Sequence, residues 1–158
     1  MYEILFNTSS CALILIMKTI ILLFFVTISI SIYSQTKEYT GIYKRHFDIN
    51  EEGRIDYKLE LSPDGTFTFH NYRKISDKNQ EENQYGKGTW KIEKNKVLFF
   101  YTNKKNDLDE KHTLNFTNTK ARYITKSKRD KSDKEVKNHL RFYDSEISWI
   151  KGNKLFKD

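Results

Sequence analysis

Cysteine, alanine and the familiar catalytic signatures are what this chain lacks, and each gap excludes something. The single cysteine, Cys11, lies inside an N-terminal apolar segment. Residues 35–158 therefore hold no thiol, no disulfide and no cysteine metal ligand, which excludes cysteine nucleophiles, zinc knuckles and redox pairs there. Ala121 is the only alanine after residue 34. Apolar side chains are also few in that part, 36 of 124 residues, and 18 of those 36 are aromatic. A core built from a few large rings and almost no alanine points to strands, not helices. No G-x-S-x-G elbow, phosphate-cradling glycine loop or H-E-x-x-H is present, so the common hydrolase and nucleotide-binding signatures are missing.

The first 34 residues carry 23 apolar side chains. Residues 11–33 are interrupted by one charge, Lys18, and are about as long as the roughly 20 residues that span a bilayer. Two readings compete. Started at Met1, the segment is an uncleaved anchor over residues 11–33. Started at Met17, Met17-Lys18 is a short basic n-region, Thr19 to Ile30 an h-region, and Ser34 the small residue before a cut at Gln35. The second reading is preferred because Thr27, Ser29 and Ser31 thin the apolar run where a leader turns toward its cleavage site. Residues 1–34 are thus expected to be a signal peptide with its true start at Met17, and residues 35–158 one exported domain, periplasmic or secreted, with no transmembrane span after cleavage.

The body shows strand patterns throughout. Ile55, Tyr57, Leu59 and Leu61 alternate with Arg54, Asp56, Lys58 and Glu60, a period of two that gives a strand one wet face. Ser62-Pro63-Asp64-Gly65 then supplies a turn in which proline presets φ and glycine accepts positive φ. Thr66 to His70 resumes the alternation, and Gly86 to Ile92 with Val97 to Tyr101 forms a second hairpin around Lys94-Asn95. Further strands are expected at Tyr39–Phe47, His112–Thr117, Ala121–Lys126, Leu140–Tyr143, Ile147–Ile150 and Leu155-Phe156. A polar helix or a solvated loop fits residues 127–138. Eight or nine short strands in series predict an all-β fold, an antiparallel up-and-down barrel of about eight strands, with a two-sheet sandwich as the alternative.

Gly41-Ile42-Tyr43, Leu59 to Phe67 with its Asp64-Gly65 turn, and Gly88-Thr89-Trp90 ahead of Val97 to Tyr101 resemble the G-x-aromatic, L-x-L-x-x-D-G-T-[FY] and G-x-W segments of lipocalin-like exported barrels. The N-terminal barrel of NlpE-type envelope lipoproteins belongs to this kind. The resemblance spans Tyr39 to Tyr101. It implies the barrel fold and an envelope location, and it transfers no activity, since the cysteine pair and acylated cysteine of NlpE-type proteins are absent here.

An interior lined by Tyr43, Tyr57, Phe67, Phe69, Trp90, Phe116, Tyr123, Phe142 and Trp149 leads to the expectation of a non-catalytic binding module for a small apolar or aromatic ligand. With so many rings the lower barrel should be packed, and any pocket shallow and near one mouth. No cofactor, metal site or nucleic-acid partner is expected. His46, His70, His112 and His139 do not pair at a short ligand spacing. Asp48, Glu51 and Glu52 read as turn chemistry. The alternative function is an envelope interaction protein using the barrel's outside. Its features are the doubly apolar strand Val97 to Tyr101 and a basic surface of Lys120, Arg122, Lys126, Lys128, Arg129 and Lys131, with possible peripheral contact to an anionic envelope surface.

Overall fold

The structure is a computed structural model and describes residues 16–23, 37–49, 51, 53–76, 80–93 and 96–158. It divides into two compact units, Met1–Glu38 and Tyr39–Asp158. In the first, residues 16–23 are helical with every side chain exposed, Ile20, Leu22 and Leu23 included. The proposed cut at Ser34-Gln35 and most of the apolar segment lie outside the described residues. Among those described, no helix is long and apolar enough to cross a membrane.

The second unit is all β. Its strands are β1 (Gly41–Asp48), β2 (Arg54–Leu61), β3 (Thr66–Lys74), β4 (Glu82–Glu93), β5 (Val97–Tyr101), β6 (His112–Leu114), β7 (Thr119–Ile124), β8 (His139–Asp144) and β9 (Lys154–Lys157). Eight of them run in the order β3-β2-β1-β9-β8-β7-β5-β4, and β4 pairs back with β3. The ring is therefore a closed, eight-stranded, antiparallel up-and-down barrel of the lipocalin-like kind, and closure leaves no second sheet for a sandwich. The alternating burial of β2 follows its sequence alternation, with Tyr57, Leu59 and Leu61 buried and Lys58 and Glu60 exposed.

Two local expectations are corrected, and one open alternative, over residues 127–138, is decided for the loop. The segment Ile147–Ile150 is a turn, not a strand. Ser145 Oγ accepts the Ile147 N–H, Asn153 Nδ2 donates to Trp149 C=O, and Ile150 N–H bonds Ile147 C=O; these local bonds replace a ladder. Ile150 is thereby pushed into the core.

The strand at His112 stops after three residues. Thr102 Oγ1 then takes the Phe116 N–H and Asn115 Oδ1 takes the Thr117 N–H. This β6 stands outside the ring, parallel to the first part of β4, and Phe116 turns inward from its end. Residues 127–138 form no helix. Ser127 Oγ and Asp130 Oδ1 bind the N–H groups two residues on, the pattern by which Ser and Asp compete with helical bonding.

The hairpin after Leu61 is as expected. Gly65 takes φ +85°, and its carbonyl accepts the Trp90 N–H at 2.7 Å. Asp64 Oδ1 accepts both the N–H and the hydroxyl of Thr66 at 2.9 and 2.7 Å.

Candidate functional site at the polar end of the barrel

Strand register sorts the inward side chains of β1 to β4 into tiers. Leu61 faces Phe67, whose partner is Gly88; the next tier is Tyr43, Leu59, Phe69 and Gly86. One step further the same parity brings Arg45, Tyr57, Asn71 and Gln84 side by side. Two apolar tiers thus give way to a polar one, and the change is written in the sequence as an arginine and an asparagine at inward positions of otherwise aromatic strands.

The apolar tiers are filled by rings in mutual contact. Phe116 lies 5.2 Å from Phe67 and 5.0 Å from Phe69, centroid to centroid, and Phe100 lies 5.6 Å from Phe142. Phe116 sits so close to Gly86 that a Cβ there would meet its ring at 2.6 Å. The polar tips are satisfied within the core. Tyr43 Oη donates to Tyr39 C=O at 2.5 Å, Trp90 Nε1 donates to Ser62 C=O at 3.1 Å, and Tyr39 meets Tyr123 edge-on. Of the nine interior residues expected from sequence, Tyr43, Tyr57, Phe67, Phe69, Trp90, Phe116, Tyr123 and Phe142 are buried in this cluster, and Trp149 is partly buried against it. Only Tyr57 and Trp149 reach the polar tier, where their rings stack at 5.7 Å and 9°.

Sequence reasoning missed the other members of that tier. Asn71 is 5% exposed; its Nδ2 donates to Gln84 Oε1 at 3.0 Å, while its Oδ1 is buried and has no hydrogen-bond partner among the described residues. Such an orphaned acceptor costs on the order of 1 to 3 kcal/mol. Arg45 Nη1 donates to Asn153 Oδ1 at 3.3 Å, and its guanidinium lies 4.0 Å over the Phe47 ring. Burial pushes the Tyr57 hydroxyl pKa up, against a hydrogen bond with Asn153. The 145–153 turn thus rests on this tier, with Trp149 against Tyr57 and, at 6.1 Å, against Phe69. These two rings are the neighbours of Asn71 across the sheet and along its own strand.

Outside the same end lies a cleft of about 370 Å³, lined by His46, Asp48, Arg54, Tyr72, Lys74 and their neighbours. The Asp56 carboxylate first, and the Asp48 carboxylate second, raise the His46 pKa above its ordinary value. They hold its Nδ1 and Nε2 at 2.5 and 2.9 Å, so neither ring nitrogen is left for a substrate or metal. Each other histidine also has a partner: His70 stacks on Tyr85, His112 bonds Asp109, and His139 bonds Lys137 C=O. Among the described residues no group of three His, Cys, Asp or Glu side chains is arranged to hold a metal ion.

The expected basic surface is not one patch. Lys120 Nζ pairs with Asp144 Oδ2 at 2.9 Å, which raises the lysine pKa and lowers that of the aspartate. Lys126 donates to Ser132 C=O within the loop, where Lys128, Arg129 and Lys131 are exposed. Arg122 points outward on β7 near the Tyr143 ring. The doubly apolar strand β5 is largely covered by its own chain. Leu98 and Phe100 face the core, and Phe99 has Lys91 and Lys120 ammonium groups within 5.8 and 5.5 Å of its ring. No protein-family model, no curated protein and no solved structure matches the chain.

Proposed function

We propose that this chain is an exported, non-catalytic binding module that holds a small, flat, largely aromatic molecule at the polar end of its barrel. The observation that carries the reading is the orphaned Asn71 Oδ1 beside the Tyr57–Trp149 stack. A phenol, aniline or aromatic amide would supply the missing donor while its ring took up the stacking surface. Arg45 offers a cation to an acidic substituent. Entry requires the 145–153 turn to lift, since Asn71 is buried under the closed arrangement.

Long fatty chains do not suit this interior, because the tiers below Asn71 are occupied by rings in contact. Export follows from the leader-like residues 17–34, and the envelope location from the likeness to NlpE-type barrels; both belong to the proposal. An enzymatic reading has less support, as the one exposed histidine in a cleft has both nitrogens engaged.

The test is calorimetric titration with a panel of small phenols and aromatic amides, beside a fluorescent fatty acid as control. Saturable one-to-one binding by a panel member, lost in Asn71→Leu, supports the reading. Binding that Asn71→Leu leaves untouched, or tight binding of the fatty acid alone, contradicts it.

A further inference from the structure

Three cations on the outer face of β7, β8 and β9 lack the carboxylate neighbour that other outward lysines of the barrel have, Lys120 of β7 among them. Around the sheet, outward lysines sit beside carboxylates: Lys44 with Asp158, Lys58 with Glu60, Lys87 with Asp109 and Lys120 with Asp144. On β7 to β9 the register instead places Arg122 opposite Arg141, and Arg141 opposite Lys154. Three cations therefore stand in a row on adjacent strands, about 4.8 Å apart from strand to strand. All three are exposed, and among the described residues none has a carboxylate within ion-pair distance. Like charges directly opposite one another destabilise a sheet, so the arrangement is a cost to the fold, offset only in part by the Tyr143 ring 5.9 Å from the Arg122 guanidinium.

The rings around this row face outward too. Tyr143 is 41% exposed and Phe156 37%, and their strand neighbours Phe142 and Leu155 point into the core. Large rings left in water next to unneutralised cations form a mixed surface, apolar and positive. The exposed loop that joins β7 to β8 carries Lys128, Arg129, Lys131, Lys134 and Lys137 together with Asp130, Asp133 and Glu135, a small net positive charge.

We propose that this face docks the protein peripherally on an anionic lipid surface, with Arg122, Arg141 and Lys154 against the head groups and Tyr143 and Phe156 at the acyl boundary. Charge complementarity selects an anionic partner, because the row holds three positive charges and no balancing carboxylate. The rings select lipid over a soluble polyanion. Phe156 has no polar tip with which to meet a hydrated polymer, whereas exposed aromatics and long basic side chains both settle at a bilayer interface. The proposal is independent of the small-ligand site, which opens at the end of the barrel and shares no residue with this face.

Co-sedimentation with vesicles tests it, using the barrel unit, whose core and ring closure are complete between Tyr39 and Asp158. The barrel should bind vesicles of equal parts phosphatidylglycerol and phosphatidylcholine, release at high salt, and ignore pure phosphatidylcholine. Each of Arg122→Gln, Arg141→Gln and Lys154→Gln should weaken binding about fivefold. Tyr143→Ser with Phe156→Ser should weaken it while keeping the salt dependence. Arg73→Gln, on β3 across the ring and paired with Glu82, should change nothing. Thermal melts of the charge variants should match or exceed that of the parent, because a repulsion has been relieved; this separates lost binding from lost folding. Equal binding of the triple Gln variant and the parent would overturn the proposal. So would binding of soluble dextran sulfate by a barrel that leaves the vesicles in the supernatant.

Discussion

The two ends of the barrel follow different rules. At the end closed by Tyr39 and the Ser62–Gly65 turn, buried polar tips find backbone carbonyls, Tyr43 that of Tyr39 and Trp90 that of Ser62. At the opposite end the strands bring Arg45, Asn71 and Gln84 inward and leave the Asn71 Oδ1 with no partner among the described residues. An eight-stranded barrel is wide enough either to be filled by side chains or to hold one small ligand. Here the aromatic filling gives way to polar side chains in the last tier, so the first end stabilises the fold and the second carries the cost of a buried acceptor.

The largest effects that would break this contrast belong to the packed end. Phe116→Ala and Trp90→Ala should each cost about 3 to 5 kcal/mol in urea unfolding, as deletions of buried rings do. Losses under 1 kcal/mol would show that these tiers are loose. Gly86→Ala should cost on the order of 1 to 3 kcal/mol, because the new methyl group would meet the Phe116 ring at 2.6 Å and force it to shift.

Gly65→Val, at φ +85°, should cost on the order of 1 to 2 kcal/mol. Asp64→Ala, which removes two bonds to Thr66 in solvent, should cost less. Equal and negligible changes in the two turn variants would mean that this hairpin does not anchor the closed end.

The smallest effect lies outside the polar end. His46 has a raised pKa in the folded state because the carboxylates of Asp56 and Asp48 flank it. Its stabilising contribution is therefore complete below the ordinary histidine value near 6.5 and fades as pH rises through the raised folded value. The group is solvent-exposed, so the change in stability should be slight. NMR titration should show the His46 pKa above its ordinary value, moving down in Asp56→Asn. An unshifted His46 signal would remove these carboxylates from its surroundings.

How much of this was readable beforehand depended on range. The hairpin at Pro63-Asp64-Gly65 and the strand alternation at Ile55 to Leu61 are local patterns, and the structure follows them within a residue or two. Barrel closure was readable as well, because many short strands joined in series leave sticky edges unless the sheet closes. Ile147–Ile150 misled because an inward-folded turn with Ile147, Trp149 and Ile150 carries the same apolar spacing as a short strand; Ser145 and Asn153 mark the difference only once their bonds are seen. The polar tier was hidden for another reason. Arg45, Tyr57, Asn71 and Gln84 lie on four strands, and only register puts them together. A search for candidate ligand contacts among aromatics alone passes over the buried asparagine.

The central claim is that Asn71 and Gln84 serve binding at the expense of stability. It is tested most directly by urea unfolding of Asn71→Leu/Gln84→Leu, with calorimetric titration of the same variant by a phenol or aromatic amide that the parent binds. Replacing both members of a buried polar pair by apolar groups of similar size leaves no donor or acceptor stranded. The account predicts stability equal to or above that of the parent, together with loss of ligand binding. A loss of about 3 kcal/mol, as for a ring deletion in the packed end, with ligand binding retained, would contradict it.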